Sequence, residues 1–287
     1  MTSLLPRVAP RLRFCLSRFV QTDLVRVCGG GTMVKIELLG TGNAFLPSGR
    51  MHSLLVIDEH IMIDIPPTAL SCLRRRGISP SQIDTILVTH VHGDHVFGIP
   101  FLLLERKYIS DREGLKTLTI AGSPMVRERI ETLCKLAYPG SLDDVLSEIN
   151  WQEIPQIEGW SFESFVVKHV PEVEPHGWMM RHEDGLVMLH SGDSGPCDEL
   201  WRRVGECDLA IVEMGLPEYV ESDEHHKPSS IETLATNNPD TKIIVTHTYV
   251  DDGPEIISAK IPEHPTNVIH ARDGAAFFWN GEEIIVL

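Results

Sequence analysis

Short runs of apolar or alternating positions predict strands over residues 36–39, 54–58, 61–64, 85–88, 118–121, 162–167, 178–181, 186–189, 209–212, 243–245, 275–279 and 283–286. Between them, apolar residues spaced by three and four predict helices over 68–76, 101–108 (apolar side inward), 125–137, 198–204, 229–236 and 255–260. Gly77 and Pro80 stop the first of these, and Pro139-Gly140 the third. Strands and helices are interleaved along the whole length, with no linker, low-complexity tract or fixed short repeat. That pattern predicts an α/β fold in one domain, with two sheets flanked by helices.

The first 32 residues do not share the pattern. They hold Arg7, Arg11, Arg13, Arg18 and Arg26, no lysine, and Asp23 as their one acid. An arginine-rich, acid-poor leader resembles a transit peptide, which would send the protein to the mitochondrial matrix. Gly29-Gly30-Gly31-Thr32 closes the segment and Met33 opens a clean strand, so an over-extended reading frame beginning at Met33 explains it equally simply. Either way, residues 1–32 are expected to hold little fixed structure, and residues 33–287 to form the domain.

Charge and cysteine usage narrow the classes. The formal net charge is −16, which works against a broad phosphate-binding surface and hence against a nucleic-acid binder. Cys15, Cys28, Cys72, Cys134, Cys197 and Cys207 form no CxxC pair, and their scatter suggests free thiols in a reducing compartment such as the cytoplasm. No run of apolar residues is long enough for a transmembrane span, so no membrane association is expected.

The candidate chemistry sits at strand ends. The run Thr85-Ile86-Leu87-Val88 leads into Thr89-His90-Val91-His92-Gly93-Asp94-His95. Imidazole and carboxylate are the ligands that divalent first-row metals prefer. His90 and His92 point the same way in extended backbone, while Asp94 and His95 lie past a glycine where the chain can turn. One loop can thus serve two adjacent ions. Three further strands end on a ligand-type residue: His169, Asp193 (after His190-Ser191-Gly192) and His247. If these ends converge, His90, His92 and His169 serve one ion, Asp94, His95 and His247 the other, and Asp193 bridges, leaving each ion an open position for water. Ser-Gly-Asp-Ser-Gly is also a good turn sequence with no metal. His176 and His182 compete with His169, which is preferred because it directly follows its strand. His52, His60, His264 and His270 have no such context and read as surface residues.

The ordered set His90-Val91-His92-Gly93-Asp94-His95, His169, Asp193 and His247 resembles the metallo-β-lactamase superfamily. Within it, Leu39-Gly40-Thr41-Gly42, Pro47, Arg50, Ser53, the stretch His92–Pro100 and His190-Ser191-Gly192-Asp193-Ser194 resemble the ribonuclease Z and phosphodiesterase branch. The likeness covers residues 34 to about 250. It implies a four-layer αββα sandwich holding two metal ions, zinc in most relatives, with manganese and iron compatible with the same ligands. Histidine at position 92 is similar to the hydrolases, whereas oxygen-reducing diiron relatives tend to carry glutamate there. Two departures stand against tRNA as a substrate. His169 and Asp193 are only 24 positions apart, too few for the tRNA-gripping arm inserted there in some ribonuclease Z forms. The branch's Asp-Cys-Gly-Glu-Gly stretch is replaced by Asp64-Ile65-Pro66-Pro67-Thr68. The branch's acidic motif resembles Glu213, and its later histidine His226, with His225 as the other candidate.

Those resemblances imply a metal-dependent hydrolase, with Asp94 orienting the nucleophile and His226, paired with Glu213, protonating the leaving oxygen. Asp64 either fixes a ligand histidine from behind or is a plain turn aspartate. The expected reaction is phosphodiester hydrolysis on a small nucleotide-type substrate or an RNA end. A lactone, thioester or β-lactam hydrolase on the same site is the second reading, and a non-catalytic metal-holding partner protein the third. A homodimer is expected from the branch.

Overall fold

The computed structural model describes residues 33–249 and 263–286. The predicted leader (1–32) and the helix predicted over 255–260 lie outside them. Two sheets are built from fourteen strands among the described residues. The first carries, from edge to edge, β14 (Ile284–Val286), β13 (Ala275–Trp279), β1 (Val34–Gly40), β2 (Leu54–Ile57), β3 (Ile61–Ile63), β4 (Thr85–Leu87), β5 (Thr119–Ala121) and β6 (Asn150–Gln152). From β14 to β3 the neighbours pair antiparallel, and β3 to β6 run parallel. The second carries β12 (Val268–His270), β11 (Lys242–Thr246), β10 (Leu209–Glu213), β9 (Val187–His190), β8 (His176–His182) and β7 (Trp160–Val166). There β9 to β12 run parallel, and β7 and β8 add an antiparallel hairpin.

The apolar residues sort into three cores, which define four layers. Between the sheets, Ile36, Leu38, Leu55, Ile57 and Ile63 of the first meet Trp178, Met180, Met188, Leu209 and Ile211 of the second. On the outer face of the first sheet, Val56, Met62, Ile86 and Ile120 are covered by α1 (Ala69–Arg76), α2 (Gly93–Val96), α3 (Ile99–Glu105), α4 (Pro124–Ala137) and α5 (Asp143–Glu148). On the outer face of the second, Leu189, Ala210, Val212, Ile243 and Val245 are covered by α6 (Asp198–Val204) and α7 (Pro228–Asn237). This is the αββα sandwich expected from the resemblance. The central strands bury both faces, which is why they read as continuous apolar runs rather than alternations.

Four elements escaped the pattern: α2, α5, β6 and β12. The two strands are three residues long and carry polar or half-buried side chains at sheet edges, where alternation gives little signal. The helix predicted over 101–108 is shifted and turned. It begins at Ile99, ends in a single π turn over Arg106–Ser110, and buries Leu102, Leu103 and Arg106, while Phe101 and Tyr108 face outward. Arg106 goes inside because its guanidinium is fully used. It pairs with Asp111 at 2.8 Å and donates to the carbonyls of Pro80, Ile83 and Lys116.

Candidate metal centre

In open α/β sheets the carboxyl ends of parallel strands form the crevice where ligands collect. Here the carboxyl ends of β3, β4, β9, β10 and β11 supply Asp64, the loop His90–His95, Asp193, Glu213 and His247. His169 arrives three residues past β7. All seven residues singled out as ligands meet in one place. His90, His92, His169 and Asp193 offer donor atoms within 4.8 Å of one another, and so do Asp94, His95, Asp193 and His247. Asp193 belongs to both groups.

The spacing suits coordination. In the first group His92 Nδ1 lies 3.0 Å from His90 Nε2 and 3.2 Å from His169 Nε2. In the second, Asp193 Oδ2 lies 3.4 Å from both His95 Nε2 and His247 Nε2, and Asp94 Oδ2 lies 3.3 Å from His247 Nε2. A tetrahedral ion with bonds of about 2.0 Å separates its ligands by about 3.3 Å. The outer nitrogens fix which atom faces inward. His95 Nδ1 donates to Asp64 Oδ2 at 2.8 Å, and His169 Nδ1 to the carbonyl of Glu224 at 3.1 Å. Each ring thereby turns its Nε2 toward the site, the atom it would offer a cation. The His95 Nε2 is buried with no hydrogen-bond partner among the described residues. An orphaned buried nitrogen of this kind is costly unless a cation completes it.

Asp64 and His247 share a backbone signature. Both have positive φ, +64° and +44°, in the left-handed region that side chains rarely adopt. Such strain concentrates where a site needs a side chain in a particular place. At Asp64 it turns the carboxylate back to accept from the Thr89 amide (2.8 Å) and hydroxyl as well as from His95. Asp64 therefore holds a candidate ligand from behind and is more than a turn residue.

Electrostatics follow from burial and crowding. Burial, with His95 beside it, holds the His90 imidazole well below its ordinary pKa, so it is neutral. Burial works to raise the Asp94 carboxyl, yet His95 and the contact from His247 outweigh it and hold it below the usual carboxylate range. For His95 the balance runs the other way. Burial lowers its basicity, but Asp193, Asp64 and Asp94 together push it well up.

Two expectations are corrected. His226 does not face the site. Its ring is fully buried, Nδ1 donating to the Ser194 carbonyl at 2.5 Å and Nε2 accepting from Trp201 Nε1 at 3.2 Å, so neither nitrogen is available. The neighbouring His225 holds that place. Its Nδ1 lies 2.8 Å from Glu213 Oε1, and its ring packs 4.8 Å from His169 and 5.9 Å from His247. Burial lowers its basicity, but the Glu213 carboxylate more than compensates and lifts its pKa to about 9. Glu213 also ties the local backbone, accepting from the amides of Ser194, Gly215 and His226. The second correction is His52, read as a surface residue. It is 8% exposed, contacts Thr68 Oγ1, and burial lowers its pKa in a neighbourhood that includes Asp94 and His247. Its proximity depends on β2 pairing with β1, which no local motif reveals. His264 and His270 stack on each other, half-buried. The unchosen His176 starts β8 with its Nδ1 on the Glu174 carbonyl, and His182 ends that strand against Trp160.

The family model described as "Anti-Pycsar protein Apyc1" matches residues 34–253, which spans every residue of the centre. The chain belongs to this family. The Apyc1 of a Paenibacillus strain is 38% identical over 84 residues, covering 29% of this chain and 34% of that protein. A ribonuclease Z of Pyrobaculum calidifontis is 27% identical over 226 residues, covering 68% of this chain and 78% of the relative. Among solved structures, the metallo-β-lactamase-fold protein YhfI of Bacillus subtilis superposes with a TM-score of 0.67 at 16% identity, covering 86% of this chain and all of that one. The short form of human tRNase Z gives 0.64 at 18% identity, covering 84% and 98%. This member of the Apyc1 family therefore has the metallo-β-lactamase fold and stands in the ribonuclease Z and phosphodiesterase-like branch. It is a metal-dependent hydrolase with donor groups for divalent metal. No helix among its described residues is long and apolar enough to cross a membrane.

Proposed function

We propose that this protein is a phosphodiesterase that works with two divalent cations, zinc by the nitrogen-rich donor set, on a single nucleotide or a short RNA end. The observation that carries the reading is the Asp193 carboxylate, common to two complete donor groups, with His225 and Glu213 on the same rim. Cations held there would supply Lewis acidity toward a phosphoryl oxygen and bring the pKa of water toward neutrality. His90, His92 and His169 would hold one, Asp94, His95 and His247 the other.

The remaining work falls to the chain. Asp94, held anionic, orients the attacking water. The Glu213 carboxylate favours the protonated His225 ring, and with Nδ1 fixed on that carboxylate His225 presents Nε2 to the leaving oxygen. Asp64 keeps the His95 ring from swinging. The β8–β9 hairpin fills the interval between His169 and Asp193, leaving no room for an arm that grips a folded RNA, so tRNA is not the substrate proposed. A homodimer, and residence in the cytoplasm, remain part of this reading.

The test is turnover of bis-p-nitrophenyl phosphate set beside a lactone and a thioester, with bound metal measured on the same sample. Diester turnover that a chelator removes and zinc restores is the expected result. Faster turnover of lactone or thioester moves the protein to carboxylic esters, and a fully metallated sample that turns over nothing makes it a binding protein.

A further inference from the structure

His90, His95 and His169 each turn Nε2 to the centre, and each has its Nδ1 secured. The partners are the Thr89 hydroxyl at 3.0 Å, the Asp64 carboxylate at 2.8 Å and the Glu224 carbonyl at 3.1 Å. His247 differs. Its Nε2 lies 3.3 Å from Asp94 Oδ2, but its Nδ1 is buried with no hydrogen-bond partner among the described residues. The outer contact that normally orients a ligand histidine is therefore missing, and the backbone that carries the ring must set its direction. That backbone has a φ of +44°. A side-chain-bearing residue stays in such a conformation only where its surroundings over-determine it.

The surroundings that do so come from the connection between β1 and β2. Before His247, the Thr246 and Ser53 hydroxyls meet at 3.1 Å, both buried. After it, the Thr248 amide donates to the Thr41 carbonyl at 2.9 Å, and the Thr248 carbonyl accepts from the Asn43 amide at 3.2 Å. This clamp is itself anchored by Asp273, where the chain crosses from β12 of the second sheet to β13 of the first. One Asp273 oxygen accepts from the Thr41 amide at 2.9 Å and from its hydroxyl at 2.8 Å, and the other accepts from the Met51 amide at 2.7 Å. The Arg50 guanidinium adds bonds to Thr41 Oγ1 at 2.8 Å and to the Ala271 carbonyl at 2.9 Å. Thr41, Arg50 and Ser53 belong to the opening motif of the sequence, to which the hydrolytic reading gives no task.

Resting on the two-cation reading, we infer that Asp273 is a positioning residue for His247. By fixing Thr41 and Met51 it holds the β1–β2 connection against the end of β11, and so aims His247 Nε2 at the ion shared with Asp94 and His95. Bonds to an ionised acceptor are roughly twice as strong as neutral ones, which suits a carboxylate for this anchor. The effect is selective. His90, His92 and His169 are carried by the ends of β4 and β7, so the clamp bears on one ion and not on the other.

Zinc competition against a chelator, read as a separate constant for each ion, tests this, with melting temperature measured on the same samples. Asp273 is exposed, so Asp273→Asn removes its charge and one acceptor oxygen without touching a core. Thr41→Val removes the hydroxyl that Asp273 holds, and Thr41→Ser keeps it. Asp111→Asn, which undoes the buried Arg106 pair, controls for lost stability alone. The expected result for Asp273→Asn and Thr41→Val is one zinc constant weakened about tenfold, the lower end of the cost of losing a ligand's outer support, with the other unchanged. The constant that moves is the one His247→Ala abolishes. Thr41→Ser restores it, and turnover of bis-p-nitrophenyl phosphate, reduced at stoichiometric zinc, recovers when zinc is raised. Asp111→Asn lowers the melting temperature and moves neither constant. If folded Asp273→Asn and Thr41→Val proteins weaken both ions equally or neither, or if Thr41→Ser binds zinc no better than Thr41→Val, Asp273 does not position His247. A wild-type protein that binds a single zinc overturns the two-cation reading itself, and the wild-type titration registers that before any variant is compared.

Discussion

Asp193 is the residue on which the centre turns, since both donor groups include it. Asp193→Ala is expected to lower bound metal and abolish turnover together, as measured by elemental analysis and diester hydrolysis on the same sample. Asp64→Asn leaves the ligands in place but weakens the acceptor that orients His95. Its expected cost is about 10- to 100-fold in metal affinity, the usual effect of removing a ligand's outer partner, read from competition with a chelator. His225→Asn should lower kcat about 100-fold or more while His226→Asn lowers stability instead, because the first ring faces the centre and the second is spent on Ser194 and Trp201. The pH dependence has a definite sign in the metal-free protein. Glu213 raises the folded pKa of His225 above its unfolded value of about 6.5, to about 9. The stability this gives is full below about pH 6.5 and is lost as pH rises through about 9. Thermal melts in chelator should therefore show wild type ahead of His225→Asn at pH 6, with the gap narrowing by pH 10. The ligand residues themselves were legible in the sequence, because four share the loop after β4 and the other three lie one to three residues past a strand end. Choosing between His225 and His226 was not, because adjacent residues differ only in which way the loop turns them.

At the scale of elements, the strand ends are held in place by close backbone approaches. Gly195, which follows the Ser191–Ser194 turn, is a case the sequence presents only as a turn glycine. Its amide donates to the Lys168 carbonyl at 2.7 Å, one residue before His169. A Cβ there would stand 1.7 Å from the Asp223 carbonyl oxygen, two residues before His225. One glycine thus fixes the spacing between a ligand strand and the loop of the candidate proton donor. Gly195→Ala is expected to displace residues 223–225, lowering kcat more than it lowers zinc content and reducing the melting temperature by several degrees, as a buried clash of 1–3 kcal/mol does in general. The helix following the metal loop shows why element boundaries were harder to read than element types. The sequence placed this helix over 101–108 with its apolar side inward, yet Phe101 and Tyr108 face outward and Arg106 is buried with Leu102 and Leu103, because Asp111 and the carbonyls of Pro80, Ile83 and Lys116 converge on it. Tertiary partners of that kind leave no trace in local periodicity.

For the molecule as a whole, the fold was legible because its sheets are fully buried in their middles, and those strands stand out as apolar runs. The edges were not, since β6 and β12 are three-residue strands whose side chains are exposed or half-buried. The site gathers Asp64, Asp94, Asp193 and Glu213 within one pocket of a chain already at −16. Cations bound there offset that repulsion, so metal is expected to stabilise the folded state by mass action. The measurement that bears most directly on the whole account is diester hydrolysis followed while zinc is titrated into chelated protein. The account predicts activity that climbs until two equivalents per chain are bound and then stays flat. Full activity without metal, or two bound equivalents with no hydrolysis of any phosphodiester, would contradict it.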